Sequence, residues 1–471
     1  MRYKWFSCML VLLASTLCSL HAQQVIISGL APSYTGEKLV FYDYPDWITG
    51  YEEAAGKCTV DSTGNFRIQI DLKTIKQIVV NLGVYKGYFF AEPGMSYKLV
   101  LPEKKEKSQQ DILNPYFEPE EIHLGIQDLK DNDLNLLVQM FDNTFYPYFN
   151  KHVDNLYART DDIQVQSDIS SMEQPFRNSG NQYFNDYRRY RYAMLNLFAN
   201  QQKVQRLSDE YFNNQPVLYD NPAYGDLFNR VFDKYFMFFG RSDSGKKIYR
   251  NINQEHSLDS LLKTLKETAH FSNDTLTELV ILKQIHDEYY SSNFSRSGLL
   301  EILDSLAAGT NNERHHQLCV RIRQKLISLQ AGYTPPQFEL ISVSGDTVKL
   351  SDFSGEYVYL NFCTCQSYAC LNEFNLLRQI KQKYKEKLAV VTVITDPADE
   401  NLIQFLQKNT YDWTFLYYNN HPEILREYDI RTYPTYFLIG KDGKLIQSPA
   451  PSPSENFELK LFEIMRARGD L

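Results

Sequence analysis

The sequence predicts a multi-domain chain: an N-terminal antiparallel β domain (23–118), a central α-helical region (119–331) and a C-terminal α/β domain (332–471). Three observations predict it. Short runs of alternating hydrophobicity fill the stretch up to Leu101, the middle is rich in Tyr, Phe, Asn and Gln with apolar residues at helical spacing, and after Gly332 strand-like runs alternate with helical ones. At 471 residues the chain has length for about three domains. Its 34 Tyr and 29 Phe carry too much aromatic surface for a disordered chain, and 21 Gly with 18 Pro exclude collagen-like or low-complexity repetition.

The first element is a leader. Arg2 and Lys4 precede an apolar stretch from Trp5 to Leu20, and His21-Ala22 stand before Gln23-Gln24, the order of a secretory signal peptide cleaved after Ala22. A retained anchor is the alternative; no lipoprotein box is readable at Cys18, because Leu17 precedes it. Nothing later approaches the run of about 18 apolar residues that a membrane span needs, so the mature chain is expected to be exported to the periplasm or cell envelope without an integral span. Losing Arg2 and Lys4 leaves 47 bases against 58 acids, a net charge near −11, which repels phosphate backbones and argues against nucleic acid as a partner. Cys8 and Cys18 leave with the leader. The remaining five cysteines are an odd number, so at least one stays free or pairs with another chain.

In the β domain the expected strands hold Val25-Ile26-Ile27, Leu39-Val40-Phe41-Tyr42, Phe66 to Ile70, Ile78-Val79-Val80 and Tyr97 to Leu101. Asp61-Ser62-Thr63-Gly64 is expected to close a hairpin and Pro93-Gly94 to mark a turn. No acid, base or nucleophile cluster occurs here, which leaves a binding or packing role.

After the charged break Glu103 to Lys107 the helical region begins. Thr275 three residues before Glu278 has capping-box spacing, with Leu276, Leu279 and Val280 following on one face. Gly240 to Lys247 nearly spells a phosphate-binding loop, but Lys247 replaces the Ser or Thr that would hold magnesium, so a basic turn is expected. His315 and Cys319, four apart on one helix, make too few ligands for a metal; a partly buried thiol beside a surface histidine is expected.

In the α/β domain the expected order is the strand Tyr357–Phe362, a loop carrying Cys363, Cys365 and Cys370, and a helix from Ser367 to Tyr384. The strand Leu388–Ile394, a helix near Asp399–Lys408 and a hairpin through Tyr433-Pro434-Thr435-Tyr436-Phe437-Leu438-Ile439 and Lys441 to Lys444 follow. Together with the opening Pro336-Gln-Phe338 and the segment Leu350-Ser351-Asp352-Phe353-Ser-Gly355, this stretch resembles the thioredoxin-fold domain of exported thiol-disulfide oxidoreductases of the TlpA and ResA type. The resemblance implies a thioredoxin fold over the last third of the chain and a Trp-Cys-x-x-Cys motif at the end of the first strand. The β and helical regions resemble only loosely the accessory regions that precede such domains.

Here the motif is altered. The first, attacking cysteine of the family falls on Ser367 and the second on Cys370; Cys363 and Gln366 stand where tryptophans are usual, and Tyr368-Ala369 where Gly-Pro is usual. Exchange needs a thiolate stabilised by the positive end of a helix and a second thiol that releases the mixed disulfide. A serine hydroxyl does neither, and Ser367 is expected to act as the helix N-cap, accepting from the backbone N–H of Cys370. The resemblance further implies that Pro434 is the cis-proline beside the site and, with Tyr433, binds substrate backbone. It also implies that Asn361 stands at the proton-moving carboxylate of classical thioredoxins, a task that would fall to another residue such as Glu373.

Several functions follow from this cluster. An atypical oxidoreductase would use Cys370 with Cys365, with Cys363 as a third thiol, acting on protein thiols or disulfides without a cofactor. A redox-inactive thioredoxin-fold module binding an envelope protein is the alternative, in which Cys365 and Cys370 form a fixed bridge or Cys363 fills space as a small hydrophobe. Peroxiredoxins carry Pro-x-x-x-Thr/Ser-x-x-Cys; Ser367 and Cys370 keep that spacing, Cys363 replaces the proline, and Arg431 would have to reach the thiol. A site formed by the three thiols with His421 is the metal reading.

Overall fold

The computed structural model describes residues 22–108, 111, 114, 117–158, 165–199, 204–213, 215–243, 245–268, 271, 273–365, 367–396, 400–409, 411–418 and 422–470. The expected leader up to His21, Gln366 and His421 lie outside the described residues. Two compact units are formed, one from Met1–Lys104, Glu121–Lys203 and Leu218–Leu227, the other from Lys105–Glu120, Val204–Val217 and Phe228–Leu471.

The first unit opens with strands β1 (Gln23–Leu30), β2 (Lys38–Asp43), β3 (Glu53–Thr59), β4 (Asn65–Leu72), β5 (Lys76–Leu82), β6 (Tyr85–Ala91), β7 (Ser96–Val100), β8 (Glu120–His123) and β9 (Gly125–Ile126). They pair as two sheets, β4-β1-β7-β9 and β3-β2-β5-β6-β8. The period-2 pattern sends alternate residues into one shared core: Val25 and Ile27 from β1, Phe66, Ile68 and Ile70 from β4, Phe41 from β2 and Ile78 and Val80 from β5.

Two expectations need correction. The domain is not wholly antiparallel: β1 runs parallel to β7, Ile26 opposite Ser96 through Leu30 opposite Val100, whereas β1–β4, β2–β3, β2–β5, β5–β6 and β7–β9 are antiparallel. Asp61-Ser62-Thr63-Gly64 closes no hairpin, because β3 and β4 on its two sides belong to different sheets. It is a corner held by the Asp61 carboxylate, which accepts from the N–H of Thr63 and of Asn65, both at 2.9 Å. Gly64 there has φ 84°, and a Cβ would lie 2.9 Å from the Pro32 Cα.

In the second unit the helix Asp274–Glu288 starts two residues earlier than the Thr275 capping-box spacing implies. Asn273, with extended backbone, is the N-cap, and its side chain accepts from the Leu276 N–H. Glu278 is drawn elsewhere, to the Thr310 hydroxyl at 2.8 Å and to His315 Nδ1 at 2.7 Å. His315 is no surface residue: it and Cys319 are both buried on the helix Glu313–Ile327. The basic turn ends in the helix Lys246–Asn253, where Lys246 pairs with Asp243 at 2.6 Å.

The C-terminal part adds β10 (Glu339–Ile341), β11 (Thr347–Lys349), β12 (Tyr357–Cys363), β13 (Leu388–Ile394), β14 (Thr414–Tyr417), β15 (Thr435–Ile439) and β16 (Leu445–Ala450). The main sheet has the order β14-β13-β12-β15-β16, with β12, β13 and β14 parallel and β15 and β16 antiparallel to their neighbours. Every residue of β12 and β13 is buried, as expected of a sheet covered on both faces. Val358, Leu360 and Phe362 of β12 face one core; Tyr357 and Tyr359 face another, against Leu377 and Ile380 of the helix Tyr368–Lys383 and Phe457 and Leu461 of the helix Phe457–Ala467. Alternation therefore places Asn361 and Cys363 on the Tyr359 face, under the helix that carries Cys370.

Candidate functional site

The three cysteines of the cluster are brought together by the end of β12, the loop after it and the first turn of the helix Tyr368–Lys383. Cys363 and Cys370 are fully buried in one apolar cluster with Phe374, Ile394, Leu402 and Phe415, and Cys365 is half-buried at its margin. All three are free thiols. Cys370 is the third residue of its helix, where unpaired backbone N–H groups and the positive end of the dipole favour negative charge.

Their acidities separate. The Cys363 S–H donates to the Cys370 sulfur, and this, against the opposing effect of burial, pulls the Cys370 thiol below its ordinary range; the Thr364 N–H and the Ser367 hydroxyl add to it. Cys363, the donor in that bond, is pushed far up by burial and by holding its proton toward Cys370. Burial, then the Asp396 carboxylate, pushes the Cys365 thiol up. Of the three, Cys370 is the one whose surroundings favour the thiolate.

Ser367 stands at the N-cap position, with φ −91° and ψ 119°, but its side chain accepts no capping hydrogen bond. The expected bond from the Cys370 N–H is not made; the hydroxyl turns to the Cys370 sulfur as a donor instead. Its place in the motif is occupied by a group that stabilises a neighbouring thiolate.

Asn361 is fully buried and donates to the Val391 carbonyl at 3.2 Å and to Thr392 Oγ1 at 3.0 Å, so it ties β12 to β13. Glu373 is held by the N–H and hydroxyl of Ser454, which takes its carboxylate away from the thiols. The carboxylate that does reach the site is Asp396. It is nearly buried, just beyond β13, and accepts from Thr364 Oγ1 at 3.0 Å and from the Cys365 N–H at 2.7 Å. A residue-by-residue alignment of the runs 357–363 and 388–394 gives the signal for it: the parallel register pairs Cys363 with Ile394 and so sets residue 396 beside residue 365.

The peptide bond from Tyr433 to Pro434 is cis. Phe362 pairs with Thr435 in the antiparallel register of β12 and β15, which sets Pro434 across from Cys363. Tyr433 packs against the cysteine cluster, and burial raises its hydroxyl to about 12. Arg431 points to Asp429, with its guanidinium nitrogens at 2.9 and 2.8 Å from that carboxylate. Among the described residues no three His, Cys, Asp or Glu side chains are grouped to hold a metal ion. Tyr368, next to Ser367, is 78% exposed and forms the rim.

The C-terminal part of the chain is similar to known proteins. The AhpC/TSA family matches residues 331–448. The thiol-disulfide oxidoreductase ResA of Bacillus thuringiensis subsp. konkukian is 32% identical over 121 residues, covering 25% of this chain and 69% of that protein. The thioredoxin-like protein YneN of Bacillus subtilis is 31% identical over 121 residues, covering 26% of this chain and 71% of that protein. Among solved structures, a thiol:disulfide interchange protein DsbE from Chlorobium tepidum shares 30% identity, with 30% of this chain and 99% of that chain covered and a TM-score of 0.27. Through its C-terminal domain the chain belongs to the ResA-like, thioredoxin-fold thiol-disulfide oxidoreductase family.

Proposed function

We propose that residues 332–471 carry out thiol–disulfide exchange on protein thiols or disulfides, with Cys365 and Cys370 as the reacting pair and the 23–118 and 119–331 segments as accessory regions. The observation that carries this reading is the stabilised Cys370 sulfur, which accepts from Cys363 at the start of a helix, close to a more accessible thiol at Cys365. A substrate thiolate attacks the Cys365 sulfur of a Cys365–Cys370 disulfide, a mixed disulfide forms, and Cys370 leaves as the thiolate its neighbours favour. A second substrate thiolate then attacks the mixed disulfide, forms the substrate disulfide and releases Cys365. Two electrons pass from substrate to the pair, and the reverse sequence reduces a disulfide; a leaving thiol of low pKa speeds the first step. Tyr433 and Pro434 present substrate backbone to the pair. No bound cofactor is called for.

The leader-like order of residues 1–22 supports export to the periplasm or cell envelope, and no helix among the described residues is long and apolar enough to cross a membrane. The complete burial of Cys363 and Cys370 favours a second reading, a redox-silent binding module. Turnover of a chromogenic aromatic disulfide by the full chain and by Cys370→Ala separates the two: turnover that depends on Cys370 supports exchange, and none from the unmodified chain supports the binding module.

A further inference from the structure

The third thiol forms and breaks no bond in that exchange, yet it is buried in the same cluster as Cys370, with Cys365 at the margin. Cys363 is the last residue of β12, and it and Cys370 are both fully buried in one cluster with Phe374, Ile394, Leu402 and Phe415. Cys365 sits two residues on and half-exposed, its backbone N–H fixed to Asp396. One sulfur thus stands between an accessible partner and an inaccessible one.

We propose that the cluster is a two-position disulfide switch, in which a bridge formed at the surface between Cys365 and Cys370 passes inward to become a buried Cys363–Cys370 bridge. The inference rests on the exchange reading above and adds a resting form to it. The step is an internal exchange. The Cys363 sulfur gives up its proton and attacks the Cys370 sulfur, the Cys363–Cys370 bond forms as the Cys365–Cys370 bond breaks, and Cys365 leaves as a thiolate that takes up a proton. No net electrons are gained or lost. The shared apolar cluster already places Cys363 beside Cys370, whose sulfur it attacks. Burial then shields the inner bridge from thiols in solution, because attack on a disulfide requires access to one of its sulfurs. Cys365 is left as a lone accessible thiol. The reverse step, attack of Cys365 on Cys370, returns the bridge to the surface, so an oxidised chain can wait with its oxidising power enclosed.

The test uses the full chain, equilibrated with oxidised glutathione, quenched in acid, unfolded and alkylated before peptide mass spectrometry. Chymotryptic cleavage after Tyr368 separates Cys370 from the other two thiols, and fragmentation across Thr364 distinguishes Cys363 from Cys365. The expected result is loss of alkylation at Cys363 and Cys370, which appear joined, with full alkylation at Cys365. A Cys365–Cys370 bridge with Cys363 alkylated overturns the switch and leaves the exchange reading intact. Alkylation of all three thiols after oxidation overturns both. Cys365→Ser, oxidised with diamide, which takes up the two electrons and two protons as it becomes a hydrazine, is expected to close Cys363–Cys370 directly. Free thiols at both positions in that variant overturn the switch.

Discussion

Cys319 and Cys370 are both free, buried thiols on helices, 1% and 0% exposed, and their chemistry is opposite. Cys319 lies in the middle of the helix Glu313–Ile327, where burial and then the Glu278 carboxylate push its thiol up to about 12. Cys370 lies in the first turn of its helix, and the Cys363 S–H, the Thr364 N–H and the Ser367 hydroxyl overcome burial and bring its thiol below the ordinary range. Burial alone makes an inert cysteine. Donors directed at the sulfur reverse that outcome at Cys370, where a strand end, a loop and a helix start meet around one atom.

The largest effect expected from this contrast is on turnover. Cys370→Ser should reduce exchange with a chromogenic aromatic disulfide to the uncatalysed background, while Cys319→Ser should leave the rate unchanged. The assay is the initial rate of thiolate release at neutral pH. Retention of the rate in Cys370→Ser would erase the distinction between the two thiols as far as function is concerned.

A second effect concerns acidity. With a small alkylating agent on the folded chain and site-resolved mass spectrometry, Cys370 should react with a midpoint below the ordinary thiol pKa, and Cys319 only as the pH climbs toward about 12. Cys363→Ala removes the leading donor and should move the Cys370 midpoint upward; equal midpoints in the variant and the unmodified chain would show that the Cys363 bond is not what sets it. In stability the signs also differ. Cys319, with its folded-state pKa raised, contributes stability that is complete below about pH 8.5 and is lost as pH rises toward its folded value. Cys370, with its folded-state pKa lowered, contributes stability above the unfolded value that is lost as pH falls through the folded one.

A third effect is smaller and acts in the opposite direction at the same site. The Asp396 carboxylate raises Cys363, Cys365 and Cys370 together. Asp396→Asn keeps an acceptor for Thr364 and Cys365 and removes the charge, so alkylation of Cys365 should begin at lower pH. An unchanged Cys365 profile in a folded Asp396→Asn chain would show that burial alone holds that thiol protonated.

What the sequence disclosed and what it hid follow from how local each signal is. The strand Leu388–Ile394 coincides with its apolar run, and the strand before the cluster and the cis bond at Pro434 also lie where the residues place them. These depend on contiguous residues, or on a motif of few residues. Strand β6 carries no unbroken alternating run, because Gly87 interrupts it; the space beside Gly87 is filled by Leu124, between β8 and β9, 2.4 Å from where a Cβ would be. Asp396 stands 26 positions after Cys370 and becomes part of the site only through the β12–β13 register. Ser367 could be placed at a helix start from sequence, but a hydroxyl offered both a backbone N–H and a sulfur goes where the sulfur is, which no spacing rule contains.

The smallest expected effect tests the inert member of the pair. Burial opposes ionisation of Glu278, but the hydrogen bonds from His315 and Thr310 outweigh it and hold the carboxylate below its ordinary range. Its folded-state pKa is therefore below the unfolded one, so the stability it contributes is present above about pH 4.3 and is lost as pH falls through the folded value. Glu278→Gln keeps the shape and removes the charge that the His315 ring and Cys319 both face. A hydrogen bond to a charged group contributes about 1.5–3 kcal/mol, so the variant should lose about that much at neutral pH and differ little from the unmodified chain in acid, as read from thermal unfolding across pH. The same variant should lower the pH at which Cys319 alkylates, because the larger of the two carboxylate influences that raise it is gone while burial and Asp304 remain. If Cys319 then reacted at the pH of Cys370, a nearby carboxylate rather than burial would be what keeps a helix cysteine silent, and the contrast between the two thiols would rest on charge alone.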